Sequence, residues 1–279
     1  MLAHAPRSAW SQTRIRRGLA PDTLVDDRFV VLRLLGRGGM SCVYKVADLQ
    51  SGDLVALKLL APERHNRWMS LSFQRQIMLR EAEILAALSL PSVVRLRALQ
   101  VRELPFYLAL DYLDGMTLAH FIARGLPARS TALLLADRIA AMIEALHQHR
   151  PPLLHLDIKP ANIVLLRCGG MRLIDFGTAC WLTDTGAPAP GMGTPDYAAP
   201  EHQAHQRLDV RADIYALGRI LEDLVGEATV PASHPLRQIL ARATAPLAWQ
   251  RYPAVAEFRR ALQDLRRRMA ASARCSSPV

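Results

Sequence analysis

The sequence predicts an α+β protein in which a small β-rich lobe is followed by a larger, mainly helical one. Three observations predict it. Residues 28–60 read as short apolar runs broken by glycine and by "QSGD"; beyond Gly115 the apolar residues recur at helical spacing in long segments; and the 51% hydrophobic content of the 279 residues suffices for a sizeable core. Two such lobes leave a cleft between them, which is where ligands commonly sit.

The elements follow in order. Residues 1–27 are small, polar or basic without apolar periodicity and are expected to form a flexible basic arm; residues 269–279 are expected to be a disordered tail. Between them the ordered domain is expected at 28–268, with the β-rich lobe at 28–113 and the helical lobe at 114–268. "RFVVLRLLG", "CVYKVADL" and "DLVALKLL" give three consecutive antiparallel strands. "SFQRQIMLREAEILAALS" sets Ile77, Leu85 and Leu88 at helical spacing among charges, and Pro91 stops it. "VVRLRAL" and "FYLALDYL" are two further strands, and "STALLLADRIAAMIEALHQH", "DVRADIYALGRILEDLV" and "HPLRQILARATAPL" are amphipathic helices. There is no internal repeat.

Composition excludes several classes of function. The formal net charge of +10 comes mostly from scattered arginines, with short clusters only at Arg14, Arg16 and Arg17 and at Arg266, Arg267 and Arg268. Aromatics, at 6%, do not interleave with these clusters, so a nucleic-acid partner is not expected. Cys42, Cys168, Cys180 and Cys275 form no C-x-x-C pair, which argues against zinc knuckles and disulfides and for reduced thiols in a cytoplasmic protein. No run approaches the roughly 18 apolar residues of a membrane span, the N-terminus lacks the apolar stretch of a secretory signal, and no feature signals an oligomeric state.

"LGRGGMSCVYKV" places Gly36, Gly38 and Gly39 between two strands, where missing β-carbons let backbone N–H groups approach phosphate oxygens. Hairpin turns use the same residues, so this signal is weak alone. It gains a partner in Lys58 of "VALKLL", an ammonium in mid-strand that either snorkels from an edge or turns inward to meet an anion. A desolvated lysine needs a carboxylate, and the helix offers Glu81 and Glu83. Glu81 is favoured because Leu85, one turn on, can back it against the core.

"HLDIKPANIVL" resembles the H-R-D-x-K-x-x-N catalytic loop of eukaryotic-like protein kinases, with His155, Asp157, Lys159 and Asn162 in register; the bacterial serine/threonine kinases are the nearest in flavour. "LIDFGTA" resembles the family's D-F-G segment and "GTPDYAAPE" its A-P-E segment, and the likeness runs from about Arg28 to Leu265. The resemblance implies a bilobal protein-kinase-like fold that binds ATP in the cleft and transfers its γ-phosphoryl group to a serine or threonine of a protein substrate. It implies Asp157 as the residue that orients the acceptor hydroxyl, Lys159 as a neutraliser of the γ-phosphoryl oxygens, and Lys58 with Glu81 on the nucleotide phosphates. Asn162 and Asp175 would hold Mg2+, with Mn2+ as an alternative. It places the adenine on the backbone around Asp111 and Leu113, with Leu110 at the gatekeeper position and Val43 and Ala56 as the roof. It further assigns Thr194 to the catalytic aspartate and lysine, Asp213 to the catalytic-loop backbone, and Glu201 with Arg251 to an ion pair that anchors the A-P-E segment.

Two departures stand out. Ser41 replaces the third glycine of the phosphate loop, and Leu156 replaces the arginine that pairs with a phosphorylated activation loop. The second implies activity independent of loop phosphorylation, although Thr178, Thr183 and Thr185 remain candidate phosphosites. The stretch "TDTGAPAPGMG" is short and rich in glycine and proline, which predicts mobility without substrate. Cys42 reads as a small filler rather than a reactive thiol. A pseudokinase scaffold would be marked by loss of Lys58, Asp157 or Asp175, all of which are present; a small-molecule phosphotransferase of similar fold would lack the A-P-E segment.

Overall fold

The computed structural model describes residues 3–4, 15, 17–61, 70–184 and 193–275. The chain divides into two compact units, 1–114 and 115–279.

The first unit is built on a sheet. Its strands are β1 (Ala3–His4), β2 (Thr23–Val25), β3 (Phe29–Arg37), β4 (Ser41–Asp48), β5 (Leu54–Leu60), β6 (Leu96–Gln100) and β7 (Tyr107–Asp111), in the spatial order β1-β2-β3-β4-β5-β7-β6. All neighbours are antiparallel except β1 and β2. The two-residue period of a strand sets the faces: in β4, Cys42, Tyr44 and Val46 are buried, while Val43, Lys45 and Ala47 are half-buried on the other side. Phe29, Val31, Tyr44, Val46, Leu57, Leu59 and Tyr107 form the core, with Phe29 and Tyr107 edge to face at 5.5 Å. Asp48 closes the β4–β5 turn by accepting from the Gln50 amide and the Ser51 hydroxyl, and the Arg28 guanidinium beside it holds its carboxyl down at about 2. Helix α1 (Leu71–Ala87), capped by the Ser70 hydroxyl, packs on β5, β6 and β7.

The flexible arm expected up to residue 27 does not describe residues 17–27. Ile15 and Leu19 are buried, Thr23–Val25 pair with β3, and the Asp22 amide donates to the Val31 carbonyl. The buried Tyr44 hydroxyl holds this segment, which has no apolar period that sequence could show.

The second unit opens with β8 (Gly115–Thr117) and α2 (Leu118–Ala123), followed by α3 (Arg129–His147) and β9 (Leu153–Leu154). Next come the hairpin of β10 (Ile163–Leu166) and β11 (Met171–Leu173), then β12 (Cys180–Trp181), α4 (Pro200–Gln203), α5 (Val210–Val225), α6 (Leu236–Ala243) and α7 (Val255–Cys275). Helix α3 packs against α5 and α7, and α6 against both of these. Strand β8 lies on β10, and β9 on β12. A β-carbon on Gly115 would sit 2.1 Å from the Leu165 carbonyl oxygen, so only glycine lets β8 approach this closely.

Helix α7 runs through residues 269–275, against the disordered tail expected there. Leu262 and Leu265 bury its apolar stripe, and the following run of arginine, methionine and alanine has enough helix propensity to continue after the stripe ends. No helix among the described residues is long and apolar enough to cross a membrane. Thr185 and most of "TDTGAPAPGMG" lie outside the described residues.

Candidate active site

The first unit builds one constellation. Register pairs Val43 with Lys58 and Lys45 with Ala56, so these four side chains share a face of the sheet. Lys58 donates to both carboxylate oxygens of Glu81 on α1, each at 2.7 Å, while Glu83 is exposed. Glu81 is only 2% exposed, so the ion pair is largely desolvated. In the β3–β4 hairpin the Gly38 amide donates to the Ser41 carbonyl, and Ser41 itself is buried. A β-carbon added at Gly36 or Gly39 would meet nothing within 4 Å. Protein packing therefore does not require glycine at either position, as expected where the missing atoms leave room for a ligand.

At the end of β7 the Asp111 amide donates to the Arg95 carbonyl, and its carboxylate pairs with Arg97 and Arg95. Leu110 is buried, and Leu113 is half-buried in irregular chain. Cys42 is fully buried in the core.

The second unit holds the other constellation. Asp157 Oδ2 accepts from Lys159 Nζ at 2.7 Å and from Asn162 Nδ2 at 3.0 Å, and Oδ1 accepts from Thr194 Oγ1 at 2.8 Å. Lys159 also donates to Thr194 Oγ1 at 2.7 Å, closing a triangle. Asn162 Nδ2 further donates to the Asp157 carbonyl, which fixes the amide and turns its hard Oδ1 to the other side. The β10–β11 hairpin brings Asn162 close to Asp175: Ile163 pairs with Leu173, and the Ile174 amide donates to the Asn162 carbonyl at 3.0 Å. Asp175 and Leu156 both adopt φ of 64°, a left-handed conformation that costs about 1–3 kcal/mol and persists only where the surroundings impose it.

Asp213 imposes it at Leu156. Fully buried on α5, it accepts from the amides of His155 at 3.0 Å and Leu156 at 2.9 Å, and from His147 Nε2 at 2.8 Å. Burial alone would push its carboxyl up, but these donors hold it below the usual carboxylate range. The His155 ring, tilted against Phe176 with centroids 4.8 Å apart, is pushed down by burial despite the nearby carboxylates of Asp213, Asp157 and Asp175. Its Nδ1 accepts from the Asp157 amide, and Thr178 donates to its carbonyl, so the hydroxyl of one candidate phosphosite is used internally. His202, on α4, is likewise pushed down by burial.

Leu156 lies in an apolar cluster with Leu154, Cys180, Ala199 and Ala212. Where a cation was absent from the sequence, the structure thus has apolar packing. Arg251, 2% exposed, grips Glu201 with two bonds of 2.7 and 2.8 Å and donates to the carbonyls of Ala245, Arg211 and Pro246. Tyr197 donates to Asp223, tying the segment after Thr194 to α5. Sequence reasoning missed His147 and His202; a lone histidine near a helix end normally reads as a dipole partner, and only the fold shows which carboxylates surround it.

Asn162 and Asp175 offer an amide and a carboxylate oxygen, a hard donor pair suited to Mg2+, which retains waters and takes its other ligands from phosphates. Among the described residues no group of three or more His, Cys, Asp or Glu could hold a metal by itself.

The protein kinase domain model matches residues 29–274. A probable serine/threonine-protein kinase PknB of Lactococcus lactis is 33% identical over 204 residues, covering 71% of this chain and 31% of that protein. The serine/threonine-protein kinase PknB of Mycolicibacterium smegmatis is 34% identical over 224 residues, covering 76% and 35%. The chain thus spans about a third of the length of these curated relatives. The crystal structure of a double mutant of the Mycobacterium tuberculosis PknI kinase domain superposes with a TM-score of 0.67 at 28% identity, covering 85% of this chain and 95% of that one. With its loop motifs in register, its β-rich and helical units in the matching order and a family model that spans nearly all of it, the chain belongs to the protein kinase family, among its Hanks-type serine/threonine members.

Proposed function

We propose that the chain is an ATP-dependent serine/threonine protein kinase that transfers the γ-phosphoryl group to a protein hydroxyl. The observation that carries this reading is the triangle of Asp157, Lys159 and Thr194, which holds a carboxylate, an ammonium and a hydroxyl within 2.7–2.8 Å of one another. In-line phosphoryl transfer needs alignment of the acceptor and neutralisation of charge on the transferred group rather than covalent chemistry by the protein.

In this reading Asp157 orients the acceptor hydroxyl and takes its proton as the oxygen bonds to the γ-phosphorus and the bond to the β–γ bridging oxygen breaks. Such acid–base assistance is worth about 10²–10⁴-fold. Lys159 balances charge on the γ-phosphoryl oxygens, and Thr194 keeps Asp157 and Lys159 in register. Lys58, oriented by Glu81, pairs with the nucleotide phosphates under the amides of Gly36, Gly38, Gly39 and Ser41. Val43 and Ala56 cover the base, and the backbone around Asp111 and Leu113 bonds its edge. Asn162 and Asp175 are the residues that would hold Mg2+ (or Mn2+), which when bound neutralises phosphate charge. Four scattered cysteines without a C-x-x-C pair and the use of ATP fit a reducing, nucleotide-rich cytoplasm, the location we propose.

The test is incubation of the purified protein with radiolabelled ATP and a basic protein acceptor, beside Asp157→Ala and Lys58→Met. Label on serine or threonine in the wild type, absent from both variants, supports the assignment. Nucleotide-dependent thermal stabilisation without any labelling would instead indicate a scaffold.

A further inference from the structure

We propose that Ile15 and residues 17–25 form a strap that positions the glycine-rich loop from behind, with Tyr44 as its clasp. This rests on the reading above, in which that loop binds nucleotide phosphates.

The argument starts at β4. Val43 and Tyr44 are adjacent and so point to opposite faces of the sheet. Val43 lies on the face of Lys58, and Tyr44 is fully buried on the other. A tyrosine hydroxyl at such depth needs partners, and it has two: it donates to the Ile15 carbonyl at 2.7 Å and accepts from the Leu19 amide at 3.1 Å. Both partners belong to the N-terminal segment, 25 to 29 residues earlier in the chain. Ile15 and Leu19 themselves are buried among Val31, Tyr44 and Leu57.

Both ends of the strap are anchored. At one, Thr23–Val25 pair with β3, and the Tyr107 hydroxyl on β7 donates to Asp26 at 2.6 Å. At the other, the chain turns at Gly18, whose φ of 109° is open to glycine but strained for other residues. That turn lies against Arg37, between Gly36 and Gly38: its guanidinium donates to the Arg17 carbonyl at 3.5 Å, and a β-carbon on Gly18 would come 3.3 Å from it. A single hydroxyl on β4 thus fixes a segment that touches the phosphate loop at its own arginine.

Between β3 and β4 the loop is held by the Gly38 amide on the Ser41 carbonyl and by the Ala61 amide on the Met40 carbonyl, while Gly36 and Gly39 have no neighbour where a β-carbon would point. Losing the strap therefore raises the entropy the loop must give up when it closes on phosphates, which weakens nucleotide binding more than it slows the chemical step. Tyr44 and Arg37 are positioning residues in this scheme.

The experiment compares the wild type with Tyr44→Phe, which removes both hydrogen bonds and keeps the ring, and Leu19→Asp, which unseats the strap by burying a charge. Leu262→Ala, in the core of the other unit, controls for general destabilisation. Dissociation constants for a non-hydrolysable ATP analogue and amide exchange of residues 36–42 are measured on the full chain. Both strap variants are expected to bind the analogue roughly three- to tenfold more weakly, the scale of modest couplings through a packed segment, with kcat within about twofold of the wild type. Exchange of the loop amides accelerates, whereas Leu262→Ala lowers Tm and leaves affinity and loop exchange unchanged. Strap variants with wild-type affinity and wild-type loop exchange overturn the proposal, as does an equal loss of affinity in Leu262→Ala. A wild type that binds no nucleotide sinks the kinase reading instead, and loop exchange then decides the strap alone.

Discussion

Asp213→Asn is the smallest change that tests how the catalytic loop is held. The carboxylate accepts three donors, two backbone amides and His147 Nε2, at 2.8–3.0 Å with no water access. An asparagine has one acceptor oxygen. If that oxygen replaces Oδ2, it keeps His155 and His147, but its NH2 faces the Leu156 amide; if it replaces Oδ1, the NH2 faces the His155 amide. Either way one buried backbone N–H is orphaned, at about 1–3 kcal/mol, and the surviving bonds fall from charge-assisted to neutral, about 1 kcal/mol each. The sum is about 3–5 kcal/mol, to which the left-handed Leu156 adds strain no longer held in place. For a domain of this size that is a fall in Tm of roughly 10 °C. The amide freed is one or two residues from Asp157, so phosphoryl transfer assayed well below the new Tm is expected to drop by about tenfold or more. Calorimetry together with initial rates checks both. A variant that keeps its Tm within about 2 °C and its full rate would refute the idea that this carboxylate holds the loop.

Arg251→Ala leaves the half-buried Glu201 carboxylate without its partner and removes the bonds to three carbonyls; a loss of about 3–5 kcal/mol in denaturant unfolding is expected. Gly115→Ala cannot keep the β8–β10 pairing, because its new carbon would overlap the Leu165 carbonyl, so reduced protection of the Val164 and Thr117 amides in hydrogen exchange is expected. Burial lowers the pKa of His155 and His202 from the ordinary value, so the unfolded chain binds more protons than the fold as pH falls through about 6.5, and stability declines with acidification. Tm is therefore expected to fall between pH 7 and pH 5.5, with a shallower slope in His202→Gln; a Tm that rises over that interval contradicts the sign. Phosphatase treatment is expected to leave the rate unchanged, because apolar packing around Leu156 already holds the segment that a phosphate would otherwise dock.

How legible the sequence was depended on whether a residue's reason lies within its own local pattern. Strands β3, β4, β5 and β7 alternate or run apolar between turn residues, and helices α1, α3 and α5 carry an apolar stripe, so both could be read. The choice of Glu81 over Glu83 was legible for a related reason: two residues apart on a helix, the two lie on different faces, and Leu85 marks the buried one. The strap was not legible, because Ile15 and Leu19 are two apolar residues in a basic stretch and the group that captures them is a hydroxyl 25 residues away. The last turns of α7 were missed because propensity, not periodicity, carries them. His147 was missed because its carboxylate partner lies 66 residues further on.

The constellation around Asp157 also explains how a polar centre sits in a largely apolar stretch of chain. Asp157, Lys159, Asn162 and Thr194 satisfy one another, so the loop carries four polar side chains in a largely buried setting without an unpaired charge. That closure has a functional consequence. Both Asp157 oxygens are occupied at rest, so in the proposed mechanism an acceptor hydroxyl would gain the carboxylate only by displacing or sharing one of its three donors. Thr194 is the donor whose removal costs least, since it is neutral, whereas Lys159 is charged and Asn162 is held a second time by the Asp157 carbonyl. Thr194→Ala therefore separates two roles: if the threonine only blocks the carboxylate, the variant transfers phosphate faster. If it keeps Lys159 and Asp157 in register, as the 2.7 Å bond from the lysine argues, kcat falls by about 10-fold while the KM for ATP stays put.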